Sequence, residues 1–359
     1  MNERFGFIGY PLSIELLCKF NPYFSKLSEQ EIKDTLLKIP PFRASEILGV
    51  KSKTGQSIIG DFILVMLLPD QILELDRSLV LQKITEAGKV AEALGDKIIG
   101  LGGLTSVIGN QGEVVAKNLN IAVTTGNTYT ASTTIEAVLK VANLLKLDLN
   151  KAKVTIVGAS GSIGSACSYV LSKKVSKLSL VARNQNRLKE FAESIKANSK
   201  AEILVSADIK KSVLESDIII FATSSPNKLI DINDFKRGAL VCDTSVPRNI
   251  SKSNNRNDIV IIDGGLIKPP GNMYINFDIG LPSGYAYACL CETMILTLEK
   301  RFENYTIGSG LSLDKIDEIG SLANKHGFEV DRFKSFGQSL TNSKIIAANK
   351  YISKELVAA

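Results

Sequence analysis

The sequence predicts an α/β protein in three parts: an N-terminal α/β domain over residues 1–130, a central parallel-sheet domain over 131–268 that includes a linking helix at 131–150, and a C-terminal helical region over 269–359. Three observations carry the prediction. Short β-branched runs alternate with helical lengths from Lys153 to Ile262, as parallel βαβ units require. A looser alternation runs through the N-terminal third. Beyond Pro282-Ser283 the pattern turns mostly helical.

In chain order, 5–8 is a short apolar strand. Ser28 and Glu31 stand at capping-box spacing, so a helix is expected over 28–38. The stretch 56–68 holds strand-like segments interrupted by Gly60-Asp61. Apolar residues recur at helical spacing over 79–94 and stop at Gly95, a residue suited to a left-handed cap. A strand over 97–101 leads into Gly102-Gly103. Thr124-Thr125-Gly126-Asn127-Thr128 is polar and turn-prone, and a long helix is expected over 131–145. The central domain then reads as strands at 153–157, 178–181, 201–205, 217–221, 239–242 and 259–262, and a turn cluster at Lys268-Pro269-Pro270-Gly271-Asn272 ends it.

Low-complexity disorder is excluded, because 45% hydrophobic residues and a mean hydropathy of +0.11 allow enough burial to offset the entropy of ordering. No apolar run reaches the roughly 18 residues of a spanning helix. Met1-Asn2-Glu3-Arg4 does not open a signal peptide, and five irregularly spaced cysteines do not form a secreted disulfide framework. A reducing cytoplasm is the expectation. The net charge of +6 comes without a basic run, which argues against nucleic acid and suits an anionic cofactor.

The most informative run is Val154-Thr155-Ile156-Val157-Gly158-Ala159-Ser160-Gly161-Ser162-Ile163-Gly164. A buried strand enters three glycines and leaves into a helix. Gly158 permits a tight turn, Gly161 lets backbone approach a pyrophosphate, Gly164 lets helix and strand pack closely, and the helix N-terminus attracts phosphate charge. With βα alternation downstream, this is the context of a Rossmann-type dinucleotide site. Ser160, Ser162 and Ile163 in the loop, and Thr223 just past the strand ending at Phe221, are counted with the glycines as cofactor-binding. After the next strand comes Ala182-Arg183-Asn184, where an NAD site would place Asp or Glu against the ribose 2′-hydroxyl. Arginine stands there instead. Arg183, Asn184 and Arg187 are therefore expected around a 2′-phosphate, and the expected cofactor is NADPH.

The run from Leu281 to Met294 looks like the opening of a helix with Ser283 near its N-cap. At about 100° per residue, Cys289 would share a face with Tyr285, Glu292 and Thr293, and Cys291 would lie about 200° round. The two thiols cannot act as one site. No metal site is expected, since the chain has one histidine, His326, and no cysteine cluster at ligand spacing. A helical cysteine is more often a buried apolar residue than a nucleophile, and the residues alone do not choose between Cys289 and Cys291.

Together these residues resemble the cyanobacterial long-chain fatty acyl-[acyl-carrier-protein] reductases, which reduce acyl thioesters to fatty aldehydes with NADPH. The resemblance runs from Phe5 to about Phe328. It takes in Phe5-Gly6-Phe7-Ile8-Gly9, Val50-Lys51-Ser52-Lys53-Thr54-Gly55-Gln56, Leu101-Gly102-Gly103, the 124–128 stretch and the glycine loop. It continues through Ala182-Arg183-Asn184, the block from Pro282 to Glu292 and Lys325-His326-Gly327-Phe328. It implies that Cys289, in Tyr287-Ala288-Cys289-Leu290-Cys291-Glu292, is the nucleophile, and that Cys291, where the family has alanine, is a packing residue. Two family histidines are Tyr10 and Tyr129 here, and 268–280 departs from the family pattern.

The implied reaction passes an acyl group from acyl-carrier protein or acyl-CoA to the Cys289 thiolate, then reduces it with NADPH to a fatty aldehyde. An aldehyde-consuming enzyme is the implied partner; nucleic acid and membrane insertion are not. Backbone amides, Thr125 or Asn127 would steady the oxyanion. Two other readings stay open. One is an NADP-dependent dehydrogenase of a small polar substrate, resembling the shikimate dehydrogenases, although the Lys/Asp pair those enzymes depend on is not located here. The other is a nucleotide-binding protein without catalysis.

Overall fold

The computed structural model describes residues 2–225, 227–245, 248–250, 256–308, 310–330, 333–335 and 338–358, with side chains as far as 352. The chain forms two compact units, one of residues 1–129 with 267–329 and one of 130–266 with 330–359. The region 269–359 is therefore divided between them and is not a separate helical body. The cause is long-range pairing. The strand Gly271–Ile275 joins the sheet of the first unit, whereas Phe333, Leu340 and Ile345 pack onto the core of the second.

The first unit is built on a six-stranded sheet, which in spatial order runs Gly271–Ile275, Phe42–Lys51, Ser57–Leu64, Glu3–Gly9, Ile98–Leu101 and Ala122–Thr124. Pairing is parallel from Ser57–Leu64 to Ala122–Thr124 and antiparallel at the other edge. The helix Arg77–Leu94 buries Val80, Ile84, Ala87 and Ala91, at the spacing of one helical face, and Gly95 caps it in the left-handed conformation. The Ser28–Glu31 capping box is present at the head of Glu29–Lys38.

Two local expectations change. Ser57–Leu64 is one strand, uninterrupted at Gly60-Asp61. The missing side chain of Gly60 makes room for the Phe5 ring, and the Asp61 carboxylate is buried in contact with Arg4 and with Arg43 at 3.2 Å. The polar stretch at 124–128 is also not all turn, for the helix Asn127–Leu144 begins inside it.

The second unit carries six parallel strands in the spatial order Val260–Asp263, Leu240–Asp243, Ile218–Phe221, Lys153–Val157, Lys177–Val181 and Glu202–Ser206. The first strand in the chain lies inside the sheet, and the order reverses there. Alternate residues pack on opposite faces. Val154, Ile156, Leu178, Leu180, Ile218 and Ile220 enter one core with Cys167, Leu171 and Leu188. Val157, Val181, Ile219, Phe221 and Val241 enter the other. Burial on both faces is why these strands read as unbroken apolar runs. Among the described residues, no helix is long and apolar enough to cross a membrane.

Candidate active site

In the second unit the glycine loop leaves Lys153–Val157 at the point where the strand order reverses, the place where open parallel sheets bind ligands. Gly158 has φ +87°, and a Cβ there would lie 2.3 Å from the Ala222 carbonyl oxygen. Gly164 is confined by the loop itself, since its Cβ would fall 2.2 Å from the Gly158 oxygen. Gly161 differs from both. It is exposed, and the nearest atom to an added Cβ would be 3.2 Å away. The fold demands Gly158 and Gly164, whereas the open side of Gly161 fits a ligand passing close to the backbone. The helix Ser162–Ser172 starts immediately after, and its N-cap, Gly161, has no side chain with which to cap it.

Gly158 and Ala159 donate to the Val181 carbonyl at 2.8 and 3.1 Å, which ties the loop to the end of the neighbouring strand. Arg183 and Arg187 follow that end and are exposed. Asn184 has a structural task, its side-chain oxygen accepting from the Arg187 amide at 3.1 Å as the N-cap of Gln185–Lys196. Ser160 and Ile163 are half-buried, and Ser162 is buried as the first residue of its helix.

Thr223 comes to the loop through its methyl group, which would lie 3.2 Å from a Cβ on Gly158. Its hydroxyl is held by other groups, donating to Asn249 Oδ1 at 3.2 Å and accepting from the Ser225 amide at 2.9 Å. Asn249 also accepts from the Ser245 hydroxyl at 2.9 Å, and the buried Asp243 carboxylate accepts from the amides of Ser245 and Asn249. This network shapes the rim beside the loop. It escaped the sequence reading because its members belong to different loops.

In the first unit, Cys289 is the second residue of the helix Ala288–Leu298, whose N-cap is Tyr287. Ser283 is therefore not the cap. Pro282-Ser283-Gly284 forms a turn, closed by the Tyr285 amide on the Pro282 carbonyl at 3.1 Å, and a two-residue strand, Ala286–Tyr287, separates it from the helix. Tyr285 lies outside the helix and does not share its face. Cys289 is partly buried and Cys291 fully so.

Burial pushes the Cys289 thiol up to about 11, against the pull of the Gly103 and Leu290 amides. Gly126 closes on this residue directly: with φ +73°, its Cβ would lie 2.2 Å from the Cys289 Cα. Thr125, beside it, is buried with a hydroxyl that has no hydrogen-bond partner among the described residues.

Glu292, one turn along the helix, joins the cysteine to that loop. Its carboxylate is wholly buried; Oε1 accepts from the Thr124 hydroxyl and from the Thr306 hydroxyl at 2.8 Å, and Oε2 from the Tyr129 amide at 2.7 Å. Burial raises its pKa, opposed by these bonds and by the Gly126 amide. The helix lies close on the sheet because Gly100 has no side chain: a Cβ there would be 2.1 Å from the Thr293 hydroxyl.

The parallel sheet, its strand order and its glycine turn define the second unit as a Rossmann-type NAD(P)-binding fold. The family pattern of shikimate / quinate 5-dehydrogenase matches residues 140–263. The chain is 28% identical to the long-chain acyl-[acyl-carrier-protein] reductase of Synechococcus elongatus, over 90% of this chain and 98% of that protein. It is 27% identical to the aminotransferase PigE of a Serratia species, over 98% of this chain but spanning only 42% of that protein's length. Among solved structures, the nucleotide-binding domain of glutamyl-tRNA reductase from Thermoplasma volcanium is 24% identical and matches 37% of this chain and 84% of that one, with a TM-score of 0.27. The family pattern and the reductase make the chain similar to oxidoreductases.

Proposed function

We propose that the protein reduces acyl thioesters to aldehydes with NADPH, through an acyl group carried on Cys289. The observation that carries this reading is the setting of that thiol: at the head of a helix, with the backbone of Gly126 against its Cα, where burial raises its pKa and the Gly103 and Leu290 amides oppose the rise. The similarity to an acyl-carrier-protein reductase over 90% of the chain supports the same substrate class. The shikimate / quinate dehydrogenase match covers 140–263 and so speaks to the cofactor unit rather than to the substrate.

The sulfur of Cys289 attacks the carbonyl carbon of an acyl-carrier or acyl-CoA thioester. The carrier sulfur leaves and takes up the proton that Cys289 loses, so this exchange is balanced in protons. Amides at the helix start and the 124–128 loop face the charge that develops on oxygen. In the second unit the loop amides and the head of Ser162–Ser172 hold the pyrophosphate, and Arg183 and Arg187 meet the 2′-phosphate. When bound, NADPH supplies the hydride that reduces the Cys289 thioester. With one proton taken from solvent, the thiohemiacetal then collapses to aldehyde and free Cys289, and the reactive aldehyde passes to an enzyme that consumes it.

The test is intact-mass analysis of protein mixed with acyl thioester and no NADPH. One acyl group is expected, mapped by digestion to Cys289. Cys289→Ser should carry none and form no aldehyde while still binding NADPH, and Cys291→Ala should retain both. An adduct confined to Cys291 would refute the proposal.

A further inference from the structure

Glu292 stands one turn after Cys289 on the helix Ala288–Leu298 and is wholly buried, yet the proposed reaction gives it no task. An apolar side chain would fill that space without the expense of taking a charge out of water, so the carboxylate needs its own account. Its oxygens grip one loop at two places. Oε1 accepts from the Thr124 hydroxyl and Oε2 from the Tyr129 amide at 2.7 Å. Oε1 also accepts from the Thr306 hydroxyl at 2.8 Å, and Thr306 is itself tied to the loop: its carbonyl accepts from the Thr125 amide at 2.8 Å, its amide donates to the Thr124 hydroxyl at 3.3 Å, and its hydroxyl meets that of Thr128 at 2.6 Å. Gly126 lies between the two points of attachment, with its amide 3.4 Å from the Thr124 hydroxyl. It is also the loop residue that touches the cysteine: a Cβ on it would fall 2.2 Å from the Cys289 Cα and 2.3 Å from the Cys289 Cβ. That Cβ carries the sulfur, so backbone pressed against it restricts the directions the sulfur can take.

We propose that Glu292 is a positioning residue for Cys289: holding the loop at Thr124 and Tyr129, on both sides of Gly126, it keeps the Gly126 backbone against the Cys289 Cα and Cβ and so fixes the direction of the sulfur. The inference rests on the reading of Cys289 as the acyl carrier. Easier ionisation of the thiol is not what Glu292 supplies, since burial raises Cys289 and the Glu292 charge adds to the rise. Positioning and ionisation therefore call for opposite outcomes when the charge is removed. In Glu292→Gln the carbonyl oxygen can keep the Tyr129 amide, but an NH2 then donates where the carboxylate accepted. The Thr124 hydroxyl already receives the Gly126 and Thr306 amides, and a hydroxyl oxygen has two acceptor sites, so a third donor displaces one of them and the loop slackens over Cys289.

The test compares the full-length parent with Glu292→Gln, Thr124→Val and Thr124→Ser. Iodoacetamide alkylation of Cys289 is followed by peptide mass spectrometry across the alkaline range, alongside steady-state reduction of an acyl thioester. In Glu292→Gln the alkylation curve should move to lower pH while kcat falls at least about tenfold and KM for the thioester stays unchanged. Thr124→Val removes the hydroxyl between Glu292 and Gly126 and leaves the charge in place. It should lower kcat in the same way and, by uncovering Cys289, speed alkylation about threefold at every pH. Thr124→Ser restores the hydroxyl and should recover most of both losses. Parental or raised kcat in Glu292→Gln overturns the proposal, and so does a serine variant as impaired as the valine one. If Glu292→Gln fails to fold, parental kcat in Thr124→Val overturns it equally. A parent that takes no acyl group onto Cys289 refutes the proposed reaction instead, and the role of Glu292 is then decided by alkylation, where equal rates in the parent and Thr124→Val overturn it.

Discussion

Replacing Glu292 tests the link between the cysteine helix and the 124–129 loop. Its carboxylate meets two hydroxyls, of Thr124 and Thr306, and the main-chain amide of Tyr129, while the Gly126 amide donates to the Thr124 hydroxyl at 3.4 Å. The hydroxyls can turn to other partners, and Thr306 already has Thr128 at 2.6 Å. The Tyr129 amide cannot turn. In Glu292→Ala it is left buried and facing a cavity, at a cost of about 1–3 kcal/mol beyond that of the cavity itself. Glu292→Gln keeps a carbonyl oxygen for that amide and turns its NH2 to the hydroxyls. It loses the charge-assisted share of the bonds but also the expense of burying a charge, a net cost of roughly 1 kcal/mol. Urea unfolding at pH 7 should therefore rank parent, Gln and Ala in that order. If Ala lies within about 1 kcal/mol of the parent, or Gln falls as far as Ala, the Tyr129 amide is not what Glu292 holds.

The glycine loop should respond position by position. Gly164→Ala puts a Cβ 2.2 Å from a backbone oxygen and should lower the melting temperature, whereas Gly161→Val should leave melting near the parent's and abolish NADPH binding by calorimetry. Replacing Arg183 and Arg187 with alanine removes charge-assisted contacts worth roughly 1.5–3 kcal/mol each. NADPH affinity should then fall far more than NADH affinity, and parallel losses would count against the 2′-phosphate assignment. Burial, with Asp61 close by, raises Asp96 to about 8. The unfolded chain releases that proton near pH ~4, so the folded state holds it through the interval between and this group's contribution to stability falls as pH rises from there to about 8. Asp96→Asn should gain on the parent across that window, by up to about 1.4 kcal/mol per pH unit, and a difference independent of pH would refute the shift.

The sequence by itself determined the sheet of the second unit. Each of its strands lies within one or two residues of its expected place, because strands covered on both faces must be apolar throughout and their loops must be polar or glycine-rich. The glycine turn was legible for a related reason: Gly158 and Gly164 answer clashes with backbone a short way along the chain or just past the neighbouring strand.

Tertiary structure decided the edge of the first sheet and the surroundings of Cys289. Phe42–Lys51 and Gly271–Ile275 form the antiparallel edge of the sheet, are largely exposed, and so leave no hydrophobic period to read. Their pairing recruits the chain after 267 into the first unit, against the expectation of a separate helical region. The cysteine helix starts at Ala288 rather than near Ser283, which moves Cys289 to the helix head. Gly126 lies more than a hundred positions from Cys289 in the chain and meets it only on folding. Local propensity and spacing act within a few residues, whereas a buried thiol takes its chemistry from whatever the sheet brings against it.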